Sequence, residues 1–248
     1  MSGHSKWATI KHKKGAADAK RGRVFTRIIK EITVAARGGG GDPDTNPRLR
    51  TIIADAKAEN MPADNIKRAI QRGTGELPGS VYEESTFEAY GPNGVAIMVD
   101  VATDNRNRTV SELRHIFSKN GGNLAESGSV AWLFSKKGCI TIPKSKVSED
   151  DLMGVVLDAG ADDLRDDGDE WTVLTPPQAL EAVREAMKKA GLEPSSAAVE
   201  QVPQNTVKLD GKNVASMVRL IEALEEHDDV QRVHSNFDAE VKDLQAVS

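Results

Sequence analysis

Lys6, Lys11, Lys13 and Lys14 cluster around Trp7 and His12 in the stretch GHSKWATIKHKKGAADAKRGRVF, residues 3–25. Lysine and arginine neutralise phosphates, and indole or imidazole rings stack on bases and sugars. Lys20, Arg21, Arg23, Arg27, Lys30 and Arg37 extend the set. Residues 1–37 thus hold ten basic side chains opposed only by Asp18 and Glu31. The 248-residue chain as a whole carries a formal charge of −5, so this end is +8 and the other 211 residues sum to −13. Such asymmetry points to a polyanionic partner, either nucleic acid or a membrane surface.

A second group lies in TDNRNRT, residues 103–109, between an expected strand and an expected helix. Helix N-termini favour anions, and Arg106 and Arg108 would add charge-assisted bonds to a phosphate. An ordinary polar loop accounts for the same residues, with Asp104 and Asn105 in turn bonds and Thr109 as cap. Both readings stand on the sequence.

Other chemistry finds little support. DAGADDLRDDGDE, residues 158–170, is acidic, but aligning Gly168 with position 6 of a calcium loop puts Arg165 at position 3 and Leu174 at position 12. A solvated hairpin fits better. Cys139 is the only cysteine, which excludes an internal disulfide, and the five histidines lack ligand spacing. No nucleophile elbow, HExxH, phosphate loop or dinucleotide fingerprint occurs. We expect no enzyme activity, cofactor, metal or small-molecule substrate, and no membrane partner, because packing accounts for the apolar side of the basic helix. No apolar run approaches a membrane span. The N-terminus lacks the apolar core of a secretory signal and suits a transit peptide poorly, so the expected compartment is the cytoplasm.

The elements that must carry these residues follow from periodicity. From Ala19 to Ala36, Val24, Phe25, Ile28, Ile29, Ile32, Ala35 and Ala36 share one helical face. Lys20, Arg23, Arg27, Lys30 and Arg37 share the opposite one, expected to face outward. GGGG at 38–41 ends the helix. Asn46 and Pro47 read as N-cap and first residue of a second helix, and Met61-Pro62 opens a third, stopped by Gly73. After Gly79 the texture changes. YEESTFEAYG and VAIMVDVAT read as strands joined by a turn at 91–94. A helix follows at 110–119 with Thr109 and Glu112 as capping box, then a strand SVAWLF at 129–134. Residues 138–202 supply βαββαβ, the ferredoxin-like order. The block before them lacks a second helix and a closing strand, which appear at 214–224 and 230–237. The expected fold is α+β and multidomain. It comprises a basic arm and small helical domain (1–78), a split α/β domain (79–137 plus 203–248) and an inserted ferredoxin-like domain (138–202).

The opening stretch through Ile32 closely resembles that of the YebC family, which includes the mitochondrial translational activator of cytochrome oxidase. The resemblance continues through NPRLRTIIADAKAENMPADNIKRAIQRG, TDNRNRTVSELRHIFSKNGGNLAESGSVAWLF and VQRVHSNFD, nearly the whole chain. It implies three domains, one helical and two α/β, and a non-enzymatic role in gene expression. Members are described as DNA-binding transcriptional regulators and as ribosome-associated translation factors. The chain is therefore expected to bind nucleic acid through Lys6, Trp7, Lys11, His12, Lys13, Lys14, Lys20, Arg21, Arg23, Arg27 and Lys30. Ribosomal RNA is the expected partner and DNA the alternative. A basic arm with an aromatic suits irregular RNA, and no dimerisation heptad matches the chain to paired half-sites.

Overall fold

The computed structural model describes the backbone of residues 17–247 and the side chains of residues 22–247. Three helices come first: α1 (Ala17–Gly39), α2 (Pro47–Ala58) and α3 (Ala63–Thr74). Ile28, Ile32, Leu49, Ile52, Ile66 and Ala69 build their shared core, the residues a 3.6-residue period places inward. The Asn46 side chain fixes the corner between α1 and α2. Its Oδ1 accepts from the Leu49 amide at 3.1 Å, while Nδ2 donates to the carbonyls of Ala35 and Gly40, each at 2.9 Å.

Gly73 does not stop α3. The helix continues to Thr74, and Gly75 caps it with φ +84°, a conformation that glycine adopts without steric cost. Gly73 instead permits close approach to α1. A Cβ there would lie 2.5 Å from the Thr33 carbonyl oxygen and 2.8 Å from the Ala36 Cβ. Gly73→Ala is therefore expected to push α3 off α1 and cost about 1–3 kcal/mol, the usual range for overpacking. Urea unfolding of the variant checks this; an unchanged midpoint would mean that the helices separate freely.

The first sheet contains β1 (Glu83–Tyr90), β2 (Ala96–Thr103), β3 (Asn123–Leu124) and, from far along the chain, β9 (Val230–Ser235). Its order is β3-β1-β2-β9, antiparallel throughout, with Asp100 opposite Arg232 and Met98 opposite His234. The second sheet contains β4 (Phe134–Pro143), β5 (Asp163–Asp166), β6 (Glu170–Thr175) and β7 (Ser196–Pro203) in the order β5-β6-β4-β7. The two orders are equivalent. In the first sheet a hairpin brings β1 into the place that β6 fills in the second. The fold is thus a helical domain followed by two ferredoxin-like domains, one inserted in the other.

Helices α4 (Arg106–Lys119) and α7 (Gly211–Glu225) cover one face of the first sheet, where Leu113, Phe117, Met217 and Ile221 pack on Ile97 and Val99. Helices α5 (Glu149–Asp158) and α6 (Leu180–Lys189) cover the second through Leu152, Val183 and Met187. A short parallel pair, β8 (Val207–Lys208) with β10 (Phe237–Asp238), and α8 (Val241–Val247) complete the described chain.

SVAWLF is not a strand. Residues 131–133 form a 3-10 turn, and β4 begins at Phe134. Buried Glu88 explains the departure. Its carboxylate accepts from the amides of Gly128, Val130 and Ala131 at 2.6–2.8 Å, taking the donors a ladder would need. Burial pushes this carboxyl up, but the three donors outweigh it and hold it below the usual carboxylate range.

Candidate nucleic-acid interface

Lys6, Trp7, Lys11, His12, Lys13 and Lys14 lie outside the described residues, and Lys20 and Arg21 are described only as helical backbone. Of the rest of the α1 stripe, Arg37 is exposed, but the other three cations are engaged. Arg23, Arg27 and Lys30 share a face, as their spacing requires, but that face meets the C-terminal end of α7. Arg27 donates to the Glu225 carbonyl, and Arg23 stands 3.7 Å from the Glu226 carboxylate. Lys30 is only 6% exposed; its ammonium donates to the Asp228 carbonyl at 2.9 Å and to Asp229 Oδ1 at 2.6 Å. The reason is electrostatic. A helix C-terminus carries unsatisfied carbonyls and partial negative charge, and here the acidic run EEHDD (225–229) adds to it.

The TDNRNRT segment also differs from its expected form. Helix α4 starts at Arg106, with Asn105 as cap accepting from the Arg108 amide at 3.1 Å. Thr109 is buried inside the first turn and donates to Asp229 Oδ2 at 2.7 Å, so it is not the cap. Arg108 pairs with that same oxygen at 2.8 Å and with Asp104 at 3.1 Å. Arg106 donates to Ser85 Oγ at 2.7 Å and lies 5.2 Å from the centre of the Phe87 ring. The polar-loop reading therefore describes Arg108 better than a free phosphate site does.

Asp229 is the meeting point of these contacts. Thr103 Oγ1 also reaches Oδ2, at 3.1 Å. Burial pushes the Asp229 carboxyl up, but the bonds from Lys30, Arg108 and Thr109 prevail and hold it well below the usual carboxylate range. Glu112, His227 and Asp229 bring ligand-type atoms within 4.8 Å of one another. Each already has a protein partner: His227 Nδ1 accepts from the Asp229 amide, and Nε2 is 2.9 Å from Glu112. The group joins α1 of the helical domain to α4 and the turn before β9.

Cations without acidic partners lie elsewhere. Among the described residues of the helical domain, Arg37 on α1 and Lys67, Arg68 and Arg72 on α3 are exposed and make no ion pair. Sequence reasoning passed over the last three, although helical period was sufficient to find them. With Ile66, Ala69 and Gly73 facing α1, residues 67, 68 and 72 must point away. Arg48, by contrast, forms a forked pair with Glu84, and Arg50 bonds the Pro43 and Asp44 carbonyls. The inserted domain offers no comparable surface at its hairpin, where Asp162 and Asp166 hold Lys137 and Lys144.

Comparison with known proteins places this arrangement among relatives. A family model described as the TACO1/YebC protein N-terminal domain matches residues 5–76, and one described as the TACO1/YebC second and third domain matches residues 82–237. A protein of Koribacter versatilis named "Probable transcriptional regulatory protein" is 66% identical over 248 residues, covering 100% of both chains. One of the same name from Acidobacterium capsulatum is 65% identical over 240 residues, 97% of each. The crystal structure of a conserved hypothetical protein from Aquifex aeolicus superposes with a TM-score of 0.83 at 46% identity, covering 90% of this chain and 92% of that one.

Proposed function

The chain belongs to the TACO1/YebC family, and on that premise we propose that it regulates gene expression by binding RNA at the ribosome, without catalysis. The observation that carries this reading is the segregation of charge. Residues 1–78 hold sixteen basic and eight acidic side chains, while the remainder is net acidic. Arg37, Lys67, Arg68 and Arg72, without ion pairs among the described residues, extend the basic set of the arm onto the folded domain. A cationic domain enters an RNA-rich cavity, while phosphate repels the acidic part and keeps it outside. The basic arm and helix surface supply phosphate contacts, and Trp7 and His12 supply stacking for unpaired bases.

We extend the proposal to a non-enzymatic role in the cytoplasm. Burial pushes the Cys139 thiol up to about 12, which makes it a poor nucleophile. Among the described residues no helix is long and apolar enough to cross a membrane.

The relatives' name favours a second reading, a DNA-binding transcriptional regulator. Specificity separates the two. A ribosome-acting factor co-sediments with ribosomal particles at moderate salt and cross-links to a restricted set of ribosomal RNA positions in cells. Weak binding to any duplex decides nothing, because counterion release drives it. One operator bound ~10³-fold or more above random duplex, with no ribosomal cross-links, would overturn the RNA reading.

A further inference from the structure

A cleft of about 310 Å³ opens where the ends of α1 and α3 meet the connector leading to β1. The close approach at Gly73 brings the last turns of the two helices together, and each last turn carries an arginine, Arg37 and Arg72. Both line the cleft, both are exposed, and neither has a carboxylate or carbonyl partner among the described residues. The stem of Arg72 is held in place. Gly79 packs so closely that a Cβ there would lie 3.1 Å from Arg72 Cδ. The connector adds apolar and aromatic side chains to the lining. Leu77 and Val81 are 37% and 54% exposed, and Tyr82 follows them in the lining with the Lys30 ammonium 5.3 Å from its ring centre.

We propose that this cleft is a subsite for one nucleotide of a single-stranded RNA, with its phosphate between Arg37 and Arg72 and its base against Leu77, Val81 and Tyr82. This rests on the RNA-binding reading above and deepens it. Two unpaired guanidinium groups match a phosphate, which accepts forked charge-assisted bonds. An exposed apolar and aromatic wall matches the face of an unpaired base. A cleft of this volume sits at the lower end of ligand pockets, so it admits an extruded nucleotide and excludes a duplex. A purely apolar peptide would leave both charges unused. An acidic peptide would leave the apolar wall unused.

The test uses the full chain, a fluorescent oligouridylate and a blunt RNA duplex of equal charge, with binding read by anisotropy. The double variant Arg37→Gln, Arg72→Gln is expected to weaken oligouridylate binding roughly tenfold, as loss of one charge-assisted phosphate contact implies, and to leave duplex binding within about twofold. Its salt slope should be shallower by about 0.7, the value for one single-strand phosphate. Arg50→Gln removes a single charge outside the cleft and should change neither probe by as much. Because all three side chains are exposed, thermal melts of the variants should superpose on the parent's. The subsite is overturned if the double variant binds oligouridylate like Arg50→Gln, if both probes weaken equally, or if polyglutamate displaces oligouridylate from the parent at equal charge. A parent chain that binds neither RNA would overturn the RNA-binding reading itself.

Discussion

Asp229→Ala is expected to lower the unfolding free energy by about 3–5 kcal/mol, the range for breaking one side of a buried ion pair. The substitution strands the Lys30 ammonium in a site only 6% exposed, with the Asp228 carbonyl and the face of the Tyr82 ring left as partners. It also removes an acceptor from Thr103 and Thr109 and a partner from Arg108. For a chain of this length, 1 kcal/mol corresponds to about 2–4 °C, so the melting temperature should fall by about 6–20 °C. Adding Lys30→Met should restore part of the loss, since the uncompensated charge leaves with it, and a double-mutant cycle measures the coupling. A loss below about 1 kcal/mol would resemble that of an exposed pair, showing that Lys30 escapes to water and that the docked stripe holds nothing.

The pH dependence has a definite sign. Asp229 is depressed in the folded state, so its contribution is complete above the unfolded carboxyl value near 3.9. The contribution is lost as pH falls toward the lower folded value. The gap in stability between parent and Asp229→Ala should therefore stay constant from pH 8 to about 4 and narrow only below that. A gap that closes between pH 7 and 5 would assign the effect to another group.

Deleting residues 2–16 should leave the fold and remove most of the binding. The described core of the helical domain is built from Val24 onward, so the melting temperature should move by no more than about 2 °C, the effect of a surface change. The deletion takes away Lys6, Lys11, Lys13 and Lys14 together with Trp7 and His12. Four lost phosphate contacts at ~0.7 each make the log–log salt slope shallower by about 3. With the loss of one stacked ring, worth ~1–3 kcal/mol, affinity for single-stranded RNA at 0.1 M salt should fall on the order of a hundredfold. The contrast with Asp229→Ala is the point of the pair. One change should cost stability through a cation on α1, and the other should cost affinity through cations before it. An arm deletion that binds as the parent does would place the interface wholly on α1 to α3.

Much of the local structure is readable from residue types alone. The helices of the first domain follow from apolar spacing, and the corner at Asn46-Pro47 follows from the chemistry of a cap that accepts an amide proton and a proline that needs none. The ferredoxin-like order of 138–202 is visible as alternating strand and helix patterns. Where two local signals compete, distant residues decide. Asn105 and Thr109 both suit a helix start, and α4 begins at the earlier one because Thr109 is drawn inward to Asp229, 120 positions away. SVAWLF alternates like a strand, yet Glu88 on β1 captures its amides.

The same division governs charge. Sequence by itself determined that this protein concentrates cations at one end, and helical period determined that Arg23, Arg27 and Lys30 share a face. Only the tertiary structure decided that this face is occupied, through the acidic end of α7 nearly two hundred residues later, and that Arg37 and the outer side of α3 have no ion-pair partner among the described residues. The physical reason is one of range. Backbone geometry sets which side chains point the same way within a few turns, whereas the partner of a charge is set by whatever long-range packing brings against it.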